Sequence, residues 1–346
     1  MACVRNPGCR TGSRWKVYQS GRISRPPALR FLRWAVIVAG PDGLRVTAPE
    51  ASVRLLQGQP DARGRFIDFV RADGRRVKEA VQEIDGGRLI LKRATGVVMG
   101  LGAGHAFAMG DLRANLNQAI NLVNACYAKL VLGRGHVLLH AAGVSRDGRA
   151  VVLAGPPGAG KSSAALHLVD GGFRFLSNDR VLSRAEDGRV QALGYPKQPR
   201  VNPGTLLGHP RLSALLKPEE RATLGAMDPA ALWALESKRD VDLDAIYGPG
   251  TVALQAEMQA LVLLRWRRDG DGLRLDRLAP DAALERLEVF RKDLGAFDLD
   301  RVPGAPPTVA ELDGYRALVA TVPVFEIAGR VDFRALVGAV TAMLAA

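Results

Sequence analysis

The segment from residue 150 to 172, AVVLAGPPGAGKSSAALHLVDGG, contains the residues of this chain whose spacing is most specific for one chemical task. Gly155, Gly160, Lys161 and Ser162 fit the pattern G-x-x-x-x-G-K-[ST], which forms a loop around phosphate groups. Glycines let the backbone curl so that successive N–H groups point inward, and the first turn of a following helix adds partial positive charge. We therefore interpret this segment as a binding loop for a nucleoside triphosphate.

Each residue of the loop has an expected role toward ATP and Mg²⁺. Lys161 is expected to contact the β- and γ-phosphates, and the Ser162 hydroxyl is expected to ligate the metal. The other predicted nucleotide-binding residues are Gly155, Pro156, Pro157, Gly158, Ala159, Gly160, Ser163 and, from a later segment, Arg200. Arg200 and Lys197 lie in the proline-containing run GYPKQPRVNPG, where each cation could either neutralise a phosphate or face solvent.

An acidic residue at the end of a neighbouring strand is the second expected part of the metal site. Magnesium bound to a triphosphate is commonly held by the loop hydroxyl and one carboxylate. In the run FRFLSND, Asp179 follows an apolar strand and is the predicted second metal ligand, although aspartate at a strand end also forms turns. Asn178 beside it can form hydrogen bonds but cannot accept a proton.

His140 is the candidate for contact with the acceptor or for proton transfer. If the chain reverses at Asp147 and Gly148, a pair typical of hairpins, residues whose numbers add up to about 295 face each other. His140 then lies opposite Gly155, at the start of the loop. A histidine in an apolar strand is also commonly a packed core residue, so the residues alone leave both roles open.

Alternating strands and helices must position these residues. A second hairpin is predicted around Asp187 and Gly188. Beyond it, strands are predicted at 260–266, 273–278 and 322–329, and helices near 280–294, near 308–320 and from about 332. The alternation predicts an α/β fold with a sheet covered on both faces, and the hairpins predict that this sheet is mixed.

The N-terminal third has a different pattern. Residues 35–95 are rich in apolar strands and turns and contain one helical candidate, EASVRLLQG, which together predict a small α+β domain. Strand, turn and strand are predicted at 96–110, and an amphipathic helix at 111–132. We therefore expect three parts: a basic, disordered tail at 1–34, the α+β domain at 35–95 and the catalytic domain at 96–346.

Charge and composition narrow the class of protein. The net charge is +13, but residues 1–41 contain eight basic residues and no acidic ones, which leaves 40 basic and 35 acidic residues elsewhere. This distribution favours a basic tail over a nucleic-acid-binding surface. No apolar run approaches the roughly 18 to 20 residues of a membrane-spanning helix, and the three cysteines have neither disulfide nor metal-site spacing. A cytoplasmic protein that binds neither membrane nor nucleic acid is expected.

Together, His140, the loop and Asp179 resemble the catalytic domain of HPr kinase/phosphorylase. The runs LLHAAGV, LSNDRVL and PKQPRVNPGTLL are most similar to the branch called HPr kinase-related kinase B, and the resemblance covers residues 95 to 210, more loosely the remainder. It implies the P-loop fold shared with phosphoenolpyruvate carboxykinase, the use of ATP and Mg²⁺, a homo-oligomer, and transfer of phosphate to a serine of a protein. It also implies that His140 and Asp179 lie around the transferred phosphate.

The sequence departs from that family at the loop and at the acidic pair. Asn178 stands where the family has the first aspartate of its acidic pair, the residue that looks like the acceptor of the proton from the attacking serine. Pro156 and Pro157 stand where the family has aspartate and serine. These departures argue against an HPr-like protein as the acceptor, which leaves the acceptor unidentified. The expected function is an ATP- and Mg-dependent serine kinase with catalytic residues His140, Lys161, Asn178 and Asp179. The alternative is an ATP-binding switch or scaffold with little or no kinase activity.

Overall fold

The computed structural model describes residues 36–40, 43–48, 51–58, 60, 64–69, 78–102, 105–195, 197–268, 270–301 and 305–345. The chain divides into two compact units. Unit 1 comprises Met1–Gly133 and Asp293–Pro307, and unit 2 comprises Arg134–Lys292 and Thr308–Ala346. The basic tail predicted at 1–34 lies outside the described residues.

Unit 1 is built on a largely antiparallel sheet. Its elements are β1 Val36–Gly40, β2 Gly43–Ala48, β3 Ala51–Gln57, β4 Ile67–Asp68, β5 Glu79–Ile84, β6 Gly87–Lys92, β7 Val98–Gly102, β8 His105–Gly110 and helix α1 Leu116–Leu132. Within the described residues the strand order is β1-β2-β3-β8-β7-β6-β5-β4, and β3 and β8 run parallel.

Strand β3 replaces the helix predicted for EASVRLLQG, and that prediction is wrong. Ala, Leu, Arg and Gln favour helices in isolation. Here the segment pairs with β2 on one side and with β8 on the other, so two ladders of hydrogen bonds outweigh the local preference. The two strands predicted within 96–110 are confirmed as β7 and β8, and residues 103 and 104 between them lie outside the described residues.

Two separate stretches of chain complete unit 1. Because β7 pairs with β6, and β8 with β3, the unit continues beyond the boundary expected at residue 95.

The later stretch, Asp293–Pro307, is held by Arg88, whose guanidinium is buried. Arg88 Nη1 donates to the carbonyl oxygens of Ala296, at 3.0 Å, and Asp298, at 2.6 Å. These bonds satisfy a buried charge and fix the returning chain.

Unit 2 is a mixed α/β structure. Its strands are β9 Val137–Leu139, β10 Ala141–Arg146, β11 Arg149–Ala154, β12 Arg174–Ser177, β13 Val181–Glu186, β14 Arg189–Gly194, β15 Arg200–Val201, β16 Arg239–Asp240, β17 Gln255–Leu264, β18 Leu273–Leu278 and β19 Val324–Gly329. Its helices are α2 Lys161–Asp170, α3 Pro203–Gly208, α4 Pro218–Gly225, α5 Pro229–Ala234, α6 Leu243–Tyr247, α7 Pro280–Leu284, α8 Leu287–Phe290, α9 Val309–Thr321 and α10 Phe333–Ala345. None of the helices in the described part of the chain is both long and apolar enough to cross a membrane.

The main sheet of unit 2 has parallel strands at its centre. Its order is β12-β10-β11-β17-β14-β13-β9, and β19 also pairs with β17 and carries β18. Strand β17 runs parallel to β11 and β19, whereas the other pairs are antiparallel. The predicted mixed sheet is therefore confirmed. The predicted 280–294 helix is interrupted, since α7 and α8 are separate short helices.

Apolar side chains on both faces of this sheet enter hydrophobic cores. Along β11, Val151 and Leu153 belong to a core that includes residues of α2 and α10, whereas Val152 and Ala154 belong to a second core that includes residues of α9. Successive side chains of a strand point to opposite faces, so a continuous apolar run is what a sheet covered on both faces requires.

The hairpin between β10 and β11 has the register that the sequence predicts. Ala141 faces Ala154 and Arg146 faces Arg149, so the facing residue numbers add up to 295. The turn residues Asp147 and Gly148 both have positive φ, at 51° and 77°, as the tight turn between antiparallel strands requires. The second predicted hairpin, between β13 and β14, is also confirmed.

The backbone at Gly194 lies very close to the backbone of Leu176, and a substitution at Gly194 tests this packing. A Cβ atom at Gly194 would overlap the carbonyl group of Leu176, which is backbone and cannot move alone. We expect Gly194→Ala to lower the free energy of unfolding by about 1–3 kcal/mol or more, as overpacking in cores does. The matched control is Gly225→Ala, where an added Cβ meets nothing within 4 Å. Urea denaturation measures both, and equal stabilities of the two variants would contradict this packing.

Candidate functional site

The loop from Gly155 to Ser162 connects the carboxyl end of β11 to the start of α2. Gly158 and Gly160 have φ values of +83° and +81°, a backbone conformation that side-chain-bearing residues rarely adopt. Gly160 is also the N-cap of α2, and no side chain caps this helix. The N–H groups of the first helical turn therefore remain directed toward the loop, where they can bind an anion.

Neighbouring elements hold the loop in place from two sides. Trp266, just beyond the end of β17, donates from Nε1 to the carbonyl oxygen of Ala159 at 2.8 Å. The Ser163 hydroxyl lies 3.0 Å from the Thr205 hydroxyl of α3. A Cβ at Gly155 would lie 3.0 Å from both the Ala159 Cβ atom and the Leu264 carbonyl oxygen, so only glycine fits comfortably between β17 and the loop.

Lys161 is folded over its own loop. Its side-chain Nζ donates to the carbonyl oxygens of Gly155, at 2.6 Å, and Pro156, at 3.1 Å, and the residue is buried. The Pro156 carbonyl also accepts from the N–H of Ala159 at 3.1 Å, which closes the turn through Pro157. A phosphate group in this loop would meet a cation that is already oriented by two backbone acceptors.

A turn after β12 presents Asn178 and Asp179. The buried Ser177 hydroxyl donates to the carbonyl oxygen of Arg180 at 2.6 Å and so closes this turn. Asn178 Nδ2 donates to the Ser162 hydroxyl oxygen at 3.4 Å, which brings the turn to the first residues of α2. The sequence prediction did not include Ser177, although serine beside Asn-Asp is a recognisable turn signal.

Three segments of unit 2 bring His140, Asp179 and Lys292 together. His140 lies between β9 and β10, and the N–H of Lys292 donates to the Leu138 carbonyl at 3.0 Å as the chain after α8 runs along β9. Lys292 Nζ lies 3.2 Å from Asp179 Oδ1 and 3.3 Å from Oδ2. His140 Nε2 lies 3.7 Å from Oδ1, and Arg180 Nε lies 3.6 Å from Oδ2.

These charges fix the protonation states of the cluster. Burial, Lys292 and Lys161 together lower the pKa of His140 to about 3, although Asp179 opposes this shift. Desolvation acts to raise the pKa of Asp179, but the cations Lys292 and Arg180 outweigh it and hold that pKa below its usual range. At neutral pH the site therefore contains a neutral imidazole beside an ionised carboxylate.

Lys197 and Arg200 occupy the segment that follows β14. Burial lowers the pKa of Lys197, while the charge of Asp179 acts in the opposite direction. Arg200 forms an ion pair with Asp240, with Nε 3.1 Å from Oδ1, and donates from Nη2 to the Lys238 carbonyl at 3.0 Å. Its predicted contact with the nucleotide stays a prediction. In this structure its guanidinium is engaged within the β15–β16 ribbon.

The donor atoms at the site fit a magnesium ion that is held mainly by phosphates. Such an ion needs only one or two protein ligands. The Ser162 hydroxyl, next to the Asn178 amide, and the Asp179 carboxylate, 59% of whose side chain is exposed, are donors of this kind. Lys292 competes for the same carboxylate. In the described ranges no group of three or more His, Cys, Asp and Glu residues has the arrangement of a metal site.

Comparisons with known proteins give matches among solved structures alone. No protein-family model matches the chain, and no curated protein sequence matches it. Among solved structures, the chain is similar to the Hpr(Ser) kinase/phosphatase from Coxiella burnetii, with a TM-score of 0.29 and 11% sequence identity over 60% of this chain and 93% of that chain. At this TM-score the likeness carries no argument about the present chain.

Replacing Lys292 tests the electrostatics of the cluster. Without this cation the pKa of His140 should rise from about 3 toward its ordinary value of 6.5, and the pKa of Asp179 should rise as well. Between pH 6.5 and about 3, His140 binds fewer protons in the folded protein than in the unfolded chain, so the free energy of unfolding falls as the pH drops through this range. We expect Lys292→Met to narrow this pH range, because the pKa of His140 moves closer to 6.5.

NMR titration of the His140 ring measures this pKa directly. The exposed Lys217 is the control site, because it does not contribute to the shift of His140, and Lys217→Met should leave the titration unchanged. A His140 pKa that is the same in Lys292→Met as in the unaltered protein would show that Lys292 is not at this site in solution.

Proposed function

We propose that this chain is an ATP- and Mg-dependent kinase that transfers the γ-phosphate of ATP to a hydroxyl group, with a serine of a protein as the acceptor. The observation that carries the proposal is the loop from Gly155 to Ser162. Two left-handed glycines, an uncapped helix start and an oriented lysine converge there at the end of a central strand. Anion binding by a triphosphate uses all three features.

Phosphoryl transfer relies on positioning and on electrostatic stabilisation more than on covalent chemistry by the protein. In the proposed reaction Lys161 exchanges its loop carbonyls for β- and γ-phosphate oxygens, and the first N–H groups of α2 bind the same phosphates. The Ser162 hydroxyl and Asp179 would hold Mg²⁺, which would supply positive charge to stabilise the phosphates. Because Asp179 is paired with Lys292, this ion pair would have to open for the carboxylate to serve as a ligand.

His140 and its neighbours are assigned to the acceptor side. A neutral imidazole can form a hydrogen bond to an incoming hydroxyl without repelling the cations around it, and the low pKa of His140 keeps the ring neutral at physiological pH. Lys292, freed from Asp179, would face the transferred phosphate. Because the transition state is loose, strong proton abstraction from the acceptor is not needed early in the reaction.

The acceptor class rests on the resemblance of His140, the loop and Asp179 to HPr kinase/phosphorylase. That family phosphorylates a serine, and its acidic pair lies at the transferred phosphate. The departures at Pro156, Pro157 and Asn178 lead us to propose an acceptor protein other than HPr. Homo-oligomer formation, which the same resemblance implies, stays part of this proposal.

Labelled ATP tests the proposed activity. The protein is incubated with γ-labelled ATP, Mg²⁺ and a lysate of its source cells, beside Lys161→Ala and the exposed control Lys217→Ala. We expect a labelled protein band that Lys161→Ala removes and Lys217→Ala retains. Calorimetry should show that Lys161→Ala weakens ATP binding about 10- to 100-fold, the loss expected for a charge-assisted hydrogen bond. ATP binding that is unaffected by Lys161→Ala would overturn the proposal.

A nucleotide-binding switch with little kinase activity is the second candidate function. The position of Asn178 favours it, because an amide rather than a carboxylate lies 3.4 Å from the Ser162 hydroxyl. An amide cannot accept the proton of an attacking hydroxyl. Such a protein would bind ATP through the same loop and change its partners or conformation without labelling any acceptor.

The variant Asn178→Asp separates these two functions. If the chain is a kinase slowed by its amide, a carboxylate at position 178 should raise the rate of label transfer about 100-fold, the low end for general-base catalysis. Asn178→Ala, which can neither accept a proton nor form a hydrogen bond, is the control and should not raise the rate. ATP binding by both variants without transfer by either would favour the switch.

A further inference from the structure

An exposed tryptophan stacks on an arginine within unit 2. The Cζ atom of Arg268 lies 3.7 Å from the centre of the Trp233 ring, and both residues are exposed. Trp233 is 53% exposed although the guanidinium lies against its ring. A large aromatic ring that stays exposed on the surface is suited to stacking.

One route from this pair leads to the tip of the candidate phosphate loop. Arg268 follows Trp266 by two residues, and Trp266 is hydrogen-bonded to Ala159. The backbone between them stays extended, since the N–H of Arg267 donates to the Gly329 carbonyl at 2.7 Å and this residue forms a bridge to Arg330. Two residues of extended chain span about 7 Å. Arg268 is therefore connected to the loop through two residues of chain and the Trp266 side chain.

A second route leads to the same loop through the helices. Trp233 belongs to α5, and its neighbour Leu232 packs against Gly204 of α3, where an added Cβ would lie 3.5 Å from the leucine side chain. The next residue of α3, Thr205, contacts the Ser163 hydroxyl in the first turn of α2. Trp233 and Arg268 are thus each connected to the loop through a series of contacts.

We propose that the exposed ring of Trp233, backed by Arg268, binds the nucleobase of the nucleotide whose phosphates occupy the loop. The proposal rests on the proposed function and deepens it, because it identifies the ligand as a nucleotide with a stacked base. The ribose and the α-phosphate would bridge the distance between the loop and the indole.

Stacking has a recognisable consequence for specificity. Every base has a π face, so an aromatic platform binds bases with little discrimination among them. Base stacking on an aromatic residue commonly strengthens binding about 5- to 100-fold. Inorganic tripolyphosphate carries the phosphates but no base, so its affinity reports the loop alone.

The experiment compares ATP with tripolyphosphate, each with Mg²⁺, by calorimetry on the full chain. We expect the unaltered protein to bind ATP at least about fivefold more tightly than tripolyphosphate. Trp233→Ala should remove this difference and leave tripolyphosphate affinity unchanged, while Trp233→Phe should retain most of it. Leu215→Ala, which truncates another exposed apolar residue of unit 2, is the control and should change neither affinity. Thermal melts should show all variants folded, since no residue of α5 is buried.

The outcomes distinguish this inference from the function on which it rests. If the unaltered protein binds neither ligand, the proposed function fails. If it binds both ligands with equal affinity, or if Trp233→Ala keeps the full preference for ATP, the loop binds phosphates but Trp233 does not bind the base. A Trp233 that docks another protein instead would give that last result, and the inference would be overturned.

Discussion

The parallel pairing of β11 with β17 determines where the candidate site lies. Strand β11 ends at Ala154, paired with Leu263, so the loop that follows opens beside the carboxyl end of β17. The same end of β17 supplies the Leu264 carbonyl, which would lie 3.0 Å from a Cβ at Gly155, and is followed by Trp266, whose indole donates to the Ala159 carbonyl. Both strands are buried on their two faces, which makes this edge of the sheet a rigid base for a binding loop. Small shifts in the pairing would move every phosphate-directed N–H group together.

The chemistry at this edge is dominated by positive charge. Asp179 faces Lys292 and Arg180, and the charge of Lys161 also reaches His140. A single carboxylate does not balance this set, so the cluster favours an anion. The ion pair between Lys292 and Asp179 engages the carboxylate that we propose as a metal ligand. In the proposed function, metal binding would therefore require this ion pair to rearrange.

Local patterns allowed the loop, both hairpins and the alternation of strands and helices to be predicted, because each depends on residues close in sequence. The register that pairs Ala141 with Ala154, the residues next to His140 and Gly155, followed from the Asp147–Gly148 turn alone. Lys292 could not be found in this way, since it meets Asp179 across 113 positions and only after α8 ends and the chain turns along β9. The helix predicted at β3 failed for the same physical reason: the decisive partner, β8, is distant in sequence.

The bonds from Arg88 to Ala296 and Asp298 have a consequence for biosynthesis. They join residues separated by 208 and 210 positions, with most of unit 2 encoded between them. A ribosome releases the chain in order, so Arg88 emerges while its acceptors have not yet been translated. Strand β19 and helix α10 of unit 2 are made later still. Unit 1 therefore cannot finish folding before Asp293–Pro307 has been made, and unit 2 cannot finish folding before α10 has been made.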